Sequence, residues 1–314
     1  MLAEILRRLV ATVPVMGVVA IAVFALLHVT PGDPAVIIAG DYATSDDIAR
    51  IRARLGLDQP FHVQVGLWVS RIVRGDLGTS IFSGLPVSTL IGQRAATTVW
   101  LTLFAMLISV GVGVPVGVLS ARHHNTATDQ TFMVLALLGI SVPNFLLGLI
   151  FVLVFGVWLG WFPVAGYSPL EDGWLLTARS LVLPAFSLGL VQSALIARIA
   201  RSSMLDVLRE QFITTGRAKG LGERIVVYKH ALRNALVPTV TVIGISFAVL
   251  ISGAVVVETV FNIPGLGRLV VSAVSRRDYP VVQGVVLVIA GVYMLVNLLV
   301  DLSYLVIDPR VKYQ

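Results

Sequence analysis

Six stretches of the chain run without a single Asp, Glu, Lys or Arg: Leu9–Val29, Ala95–Ala121, Thr131–Leu170, Ser180–Ala197, Ala235–Val257 and Tyr279–Val300. A helix rises ~1.5 Å per residue and a bilayer core is ~30 Å thick, so about 20 residues are needed to cross it. Each stretch is long enough or nearly so, Ser180–Ala197 being the shortest. Thr131–Leu170 is too long for one crossing and too short for two. Its helix is expected to end near Trp158 to Phe162, where aromatic side chains suit the membrane surface and Pro163 stops it. The pattern predicts an all-α integral membrane protein of six transmembrane helices, with spans near 9–29, 95–121, 131–158, 180–203, 235–257 and 279–300. The first stretch follows a basic lead ("LRR"), but its apolar core exceeds the ~7–15 residues of a signal-peptide core and "LLHVTPGDP" lacks an A-x-A-like cleavage site. It is therefore read as a retained span, and residues 1–314 as a single membrane domain.

The segment between the first two spans, 31–94, carries its own pattern. In "SDDIARIRARLGL" Ser45 is placed to cap a helix, Asp46 and Asp47 suit its positive N-terminal end, and Gly56 can end it. Phe61, Val65, Trp68, Val69 and Ile72 then recur at helical spacing before Gly75. These two amphipathic helices predict a small helical cap outside the membrane, the alternative being a solvated connector lying on its surface.

Composition agrees with the pattern. The chain is 57% hydrophobic and 13% charged, against ~25% charged in ordinary soluble domains, and its mean hydropathy is +0.91. Cysteine is absent, which excludes disulfides, thiolate catalysis and cysteine-ligated metal sites. Over short loops, 13 Lys and Arg fall in 1–8, 122–130, 198–233 and the tail, against four (Arg179, Arg268, Arg276, Arg277) on the other side. By the positive-inside rule both termini and the 198–233 segment face the cytoplasm, and 31–94 is an outer loop.

The chemistry-bearing motifs are mostly missing. There is no G-x-x-x-x-G-K-[ST] phosphate loop, no H-E-x-x-H and no G-x-S-x-G. "GVGVPVG" (111–117) has the wrong spacing for a cofactor loop and sits inside a span, where small residues serve close helix packing. His123 and His124 stand in a polar turn without acids at ligand spacing, and no metal site is expected. Ionisable residues inside spans are nearly absent, since burying charge in lipid is costly. Glu258, Asp301 and His28 lie at span ends, where water or headgroups are expected to reach them. The deeper polar residues are neutral, and of these Ser141, Asn144, Gln192, Ser193 and Ser246 are the candidates for lining a pathway. This inventory disfavours proton coupling, so energy is expected from elsewhere.

One basic segment interrupts the apolar pattern. From Arg198 to Arg233 there are eight Lys or Arg and three acids. "TTGRAKGLGERIVVYKHALRNALVP" (214–238) reads as two short helices separated near Gly220–Gly222, with Pro238 at re-entry into the membrane. The first is rich in small residues, and the second sets Ile225, Tyr228, Leu232 and Leu236 on one face beside Lys229 and Arg233. A lipid-surface anchor needs basic charge but neither the glycines nor the sided apolar face. Docking to a cytoplasmic protein accounts for all three, and places the contact at Thr214, Thr215, Gly216, Arg217, Ala218, Lys219, Gly220 and Leu221.

The same stretch resembles the cytoplasmic EAA loop of ABC importer permeases, most closely those of the dipeptide/oligopeptide (peptide/nickel/opine) branch. "HVTPGDP", "LGLDQP" with "RGDLGTS", "VVVETVFNIPGLGRLVVSAVSRRDYPVVQGVVL" and the terminal "DPRVKY" fit that branch in order over nearly the whole chain. The extended loop after span one resembles that of the first of the two permeases in systems of this branch. On this alignment the E-A-A triplet falls on Thr214, Thr215 and Gly216, so the acidic residue is missing and Glu210 lies a turn upstream. The resemblance implies a six-span permease subunit without catalytic residues or a cofactor of its own. Its implied partners are a second homologous permease, two ATPase subunits that bind ATP and Mg, and an extracytoplasmic solute-binding protein in a bacterial inner membrane. Lipid surrounds it, and nucleic acid is not among the expected partners. Downstream of Glu258, the residues Pro264, Gly265 and Gly267 predict a sharp turn before a short helix on the outer face, where Glu258 and the turn are expected to gate the pathway or meet the binding protein, the alternative being a mere loop between spans five and six. The rival reading is a stand-alone secondary carrier or channel, which would need an ion-coupling group or selectivity ring that the sequence does not display.

Overall fold

A computed structural model describes the backbone of residues 2–29, 33–39, 43–55 and 57–307, and the side chains of residues 10–25, 33, 35–36, 39, 43–53 and 57–300. His28, Asp301, "DPRVKY" and part of "HVTPGDP" therefore lie outside the described side chains. The described chain is helical, with one isolated bridge between Thr79 and Pro86. In order the helices are α1 (Leu2–Val29), α2 (Pro34–Ala39), α3 (Ser45–Leu55), α4 (Phe61–Val73), α5 (Val87–Arg122), α6 (Ala127–Ser141) and α7 (Asn144–Phe151). They continue as α8 (Trp174–Leu208), α9 (Gln211–Ala218), α10 (Glu223–Ile225), α11 (Leu232–Val260), α12 (Leu266–Arg276) and α13 (Tyr279–Ile307).

Among the described residues four helical runs are long and apolar enough to cross a membrane: Val87–Arg122, Trp174–Leu208, Glu223–Val260 and Tyr279–Val300. α6 and α7, with the π-helical turn that extends α7 to Trp158, make a fifth if counted as one span, but the pair bends by 101°. The sequence led to one helix over 131–158, and Pro143 explains the break. Proline supplies no N–H and pushes its predecessor out of the helical region, and Val142 is extended at φ −90, ψ 123. In α1 the described apolar stretch is Val10–Ala25, shorter than a full crossing.

The chain packs as two compact units. Of the described residues, the first is built mainly from 95–268 and 295–307, the second from those within 2–94 and 269–294. In the first unit, Leu101 and Ala105 of α5, Leu181, Leu183, Ala185 and Leu188 of α8, and Leu250, Ala254 and Val257 of α11 form one buried core with Phe261 and Ile263. α5 and α8 approach through small residues: a Cβ on Gly117 would stand 2.5 Å from the Ala197 carbonyl oxygen, and one on Gly113 2.8 Å from that of Ser193. Gly113 and Gly117 of "GVGVPVG" thus serve helix contact, while Gly111 faces open space.

In the second unit, Phe24 of α1 packs on Phe61 and Trp68 of α4, with ring centroids 5.7 and 5.3 Å apart. α3 begins with a capping box. The Thr44 amide and hydroxyl donate to Asp47 Oδ2 at 3.1 and 2.6 Å while the Asp47 amide returns to Thr44 Oγ1 at 3.3 Å. Thr44 is therefore the cap and Ser45 the first helical residue, because the T-x-x-D spacing lets both side chains answer free amides. These bonds hold the Asp47 carboxyl below its ordinary pKa. "RGDLGTS" is tied to "RRDYP" by the buried Asp278, which accepts from Ser80 Oγ at 2.5 Å and the Ile81 amide at 3.2 Å.

Candidate functional site

The segment between α8 and α11 buries one side and presents the other. Ile213, Val226, Val227, Ala231 and Ala235 join Met204 of α8 and Val118 and Ala121 of α5 in a second core cluster. On the opposite side Thr214, Thr215, Arg217, Ala218, Lys219, Gly220 and Leu221 are exposed and Gly216 half-buried. Large apolar side chains also face outward: Phe212, Leu221, Ile225 and Tyr228. They alternate with Arg209, Lys219, Arg224 and Lys229, all exposed.

The turn after α9 is a Schellman motif. Gly220 N donates to the Arg217 carbonyl at 2.9 Å and Leu221 N to that of Gly216 at 3.2 Å. This motif places the residue after the C-cap in the left-handed region, and Gly220 has φ +80. A Cβ there would meet nothing within 4 Å. Arg217 forks across the turn to Glu223 at 2.7 and 3.2 Å. Both partners are about half exposed, so the pair contributes only ~0–1 kcal/mol.

The face drawn from periodicity splits. Val226–Ala231 winds as a π-helical turn, which spends extra residues per turn and shifts the register. Ile225 and Tyr228 remain outward, but Leu232 packs against the second core cluster, and Leu236 is half-buried.

At the far end of α11 the chain makes an elbow into α12. Glu258, expected from its span-end position to be reached by water, is 0% exposed. Its Oε1 accepts from Thr98 Oγ1 of α5 at 2.5 Å, and its Oε2 from the Arg268 amide at 3.0 Å. Thr98 Oγ1 in turn accepts from the Leu266 amide at 2.8 Å. A carboxylate and a hydroxyl therefore answer amides that the first turn of a helix leaves without intrahelical partners. The burial follows from the turn: Phe261 and Ile263 enter the core, and Ile263 N bonds back to the Glu258 carbonyl at 2.8 Å. Pro264 is half-buried. A Cβ on Gly265 would sit 2.1 Å from Glu258 Cδ, and one on Gly267 2.4 Å from Val255 Cα. Thr98 carried no mark in the sequence; only the fold makes it Glu258's partner.

A second polar cluster escaped sequence reasoning. Asp129, at the start of α6 and 3% exposed in its side chain, takes Arg201 of α8 at 2.7 Å through each oxygen. Ser120 of α5 donates to the same carboxylate and the Asn125 amide reaches it at 3.0 Å, with His124 Nδ1 at 3.4 Å. The cluster fastens α5, α6 and α8 to one another beside the second core. An acid in an otherwise basic polar turn was the available signal, and its partner lies 72 residues away.

The pathway candidates divide. Ser141 is exposed and bonds back to the Leu137 carbonyl at 2.9 Å; Ser193 is buried and bonds to that of Leu190 at 2.7 Å. Asn144 is half-buried, its Nδ2 lying 3.1 Å from where a Gly253 Cβ would stand. Gln192 Nε2 and Ser246 Oγ are buried without a hydrogen-bond partner. Among the described residues no cluster of three His, Asp or Glu could hold a metal ion.

Residues 113–313 match the family model described as "Binding-protein-dependent transport system inner membrane component", and residues 1–102 match the model of its N-terminal region. The chain is 47% identical to the "Probable peptide ABC transporter permease protein y4tP" of Sinorhizobium fredii, over 98% of this chain and 99% of that one. It is 44% identical to the glutathione transport system permease protein GsiC of Salmonella choleraesuis, over the full length of both. In fold it is similar to a chain of the MetNI methionine ABC transporter in an inward-facing conformation. That match has a TM-score of 0.59 and 19% identity, and covers 70% of this chain and 97% of the other.

Proposed function

The chain belongs to the family of binding-protein-dependent transport system inner membrane components, and on that premise we propose that it forms half of the translocation pathway of an ATP-driven importer for peptides or related small solutes. The observation that carries this reading is the segment between α8 and α11. It is rooted in the core by Ile213 and Val227, and it offers Phe212, Leu221, Ile225 and Tyr228 outward among basic residues. Exposed aromatic and aliphatic side chains on an ordered, capped turn suit a protein cleft better than a lipid surface.

In this reading Thr214–Leu221 seats in a cytoplasmic ATPase subunit, two of which bind ATP and Mg. A second homologous permease completes the pathway, and a solute-binding protein delivers cargo to the outer face. ATP-driven closure of the ATPases moves the segment and rocks the spans between inward-facing and outward-facing states. Six spans with cytoplasmic termini, α1 among them, fit the charge distribution. Gln192 and Ser246 are the best pathway residues of the five candidates. Their unmet donors are what a solute carbonyl or a water satisfies in another state, since a buried donor without a partner costs roughly 1–3 kcal/mol. The relatives' names support a peptide or glutathione-like cargo.

The test is purification of the tagged chain from cells expressing its neighbouring subunits. Untagged ATP-hydrolysing subunits are expected to co-purify, and hydrolysis to rise when loaded binding protein is added. Solute uptake into vesicles by this chain alone would overturn the reading.

A further inference from the structure

From Glu223 to Val260 the chain is one helical run of 38 residues, roughly 55 Å long at ~1.5 Å per residue. The outward-facing segment lies at one end and Glu258 at the other. We propose that Glu258 is a positioning residue: its carboxylate pins the first turn of α12 to the end of α11 and to α5, so that motion entering at the segment leaves through α12. This rests on the coupling role proposed above.

The sequence of the elbow, "FNIPGLG", reads as a sharp turn before a short helix. Its geometry is that of a fastened joint. Glu258 Oε2 holds the Arg268 amide, and Thr98, donating to Oε1, holds the Leu266 amide. Arg268 Nη1 reaches back to the Asn262 carbonyl at 3.2 Å. Gly265 and Gly267 lie so close to Glu258 and to the α11 backbone that a Cβ at either position would overlap them. A hinge needs space and exchangeable contacts, and this joint has neither. With Glu258 fully buried, direct contact with a binding protein is not its task; its carboxylate acts through the helix it caps.

Three readouts on the purified complex test the pin. They are retention of the ATPase subunits, the ratio of hydrolysis with and without loaded binding protein, and hydrogen exchange at the Leu266 and Arg268 amides. Glu258→Gln keeps the shape but turns one acceptor into a donor, which must face either the Arg268 amide or Thr98 Oγ1, and Thr98→Val removes the relay hydroxyl. Both are expected to retain the ATPase subunits, to speed exchange of these two amides at least tenfold, and to lose most of the stimulation. Thr98→Ser restores the hydroxyl and should behave as the parent. Faster exchange with full stimulation would overturn the proposal, as would unchanged exchange or a parallel loss of assembly. Failure of the coupling reading looks different, because the parent complex itself would then show no stimulation.

Discussion

The turns at Gly220 and at Gly265–Gly267 each join two helices, and in the sequence each reads as a glycine-marked break between helical segments. The glycines do different things. At Gly220 the need is conformational: φ is +80, and a side chain would project into open space. At Gly265 and Gly267 the need is room, because Glu258 and the Val255 backbone occupy the space a Cβ would take. The first turn leaves its surface exposed. The second closes a joint within it. One residue type therefore serves exposure at one end of the Glu223–Val260 run and close packing at the other.

The contrast is tested most severely at the tight turn. Gly267→Val drives a branched side chain against the Val255 backbone, which cannot turn aside, so its cost should exceed the roughly 1–3 kcal/mol of ordinary overpacking. Its yield and melting temperature in detergent should fall furthest of the variants considered. Gly265→Leu displaces Glu258 and is expected to abolish uptake while the complex still assembles. Normal uptake in that variant would reduce the elbow to a simple connector.

Next in size is the support beneath the open turn. Asp129→Ala leaves Arg201, itself only 23% exposed, without its carboxylate. Losing one partner of a largely buried pair costs about 3 kcal/mol, so the melting temperature should drop clearly. A neutral outcome would mean that α5, α6 and α8 are held by packing alone.

At the open turn itself stability should scarcely change. A left-handed conformation costs a non-glycine residue about 1–2 kcal/mol, and asparagine tolerates it best. Gly220→Asn should therefore retain the ATPase subunits, Gly220→Trp should lose them and transport together, and Lys219→Ala should be mild, since one exposed charge contributes ~0–1 kcal/mol. For a lipid anchor the order reverses, because Gly220 carries no charge and Lys219 contributes about 1 kcal/mol near an anionic surface.

The smallest perturbation asks which side each region faces. Ser45, Thr126, Thr214 and Ser275 are all exposed, and the chain has no other cysteine to react. Single cysteines at Ser45 and Ser275 should label with an impermeant thiol reagent in cells whose outer barrier is opened, those at Thr126 and Thr214 only after lysis. Labelling at Thr214 from outside would place the open turn on the wrong side for an ATPase.

Much of the architecture was legible because membrane burial writes itself into composition: a helix surrounded by lipid must be apolar along its length, whatever it packs against. The helices of 31–94 and the helix–turn–helix around Gly220 followed from capping residues and local periodicity, which act within a few residues. Local rules also marked their own limits. Pro143 broke a run that hydropathy alone joins, and the π-helical turn at 226–231 divided a face that a uniform 3.6-residue period kept whole. The sequence by itself determined the helical class, the apolar runs and a basic, glycine-capped segment between two of them. Tertiary structure alone decided that Glu258 is buried rather than wetted, that Thr98 and Asp129 matter, and that two similar glycine turns are opposite in kind. The reason is distance along the chain: Thr98 stands 160 residues from Glu258 and Asp129 72 from Arg201, and no local pattern records which polar groups meet once the helices pack.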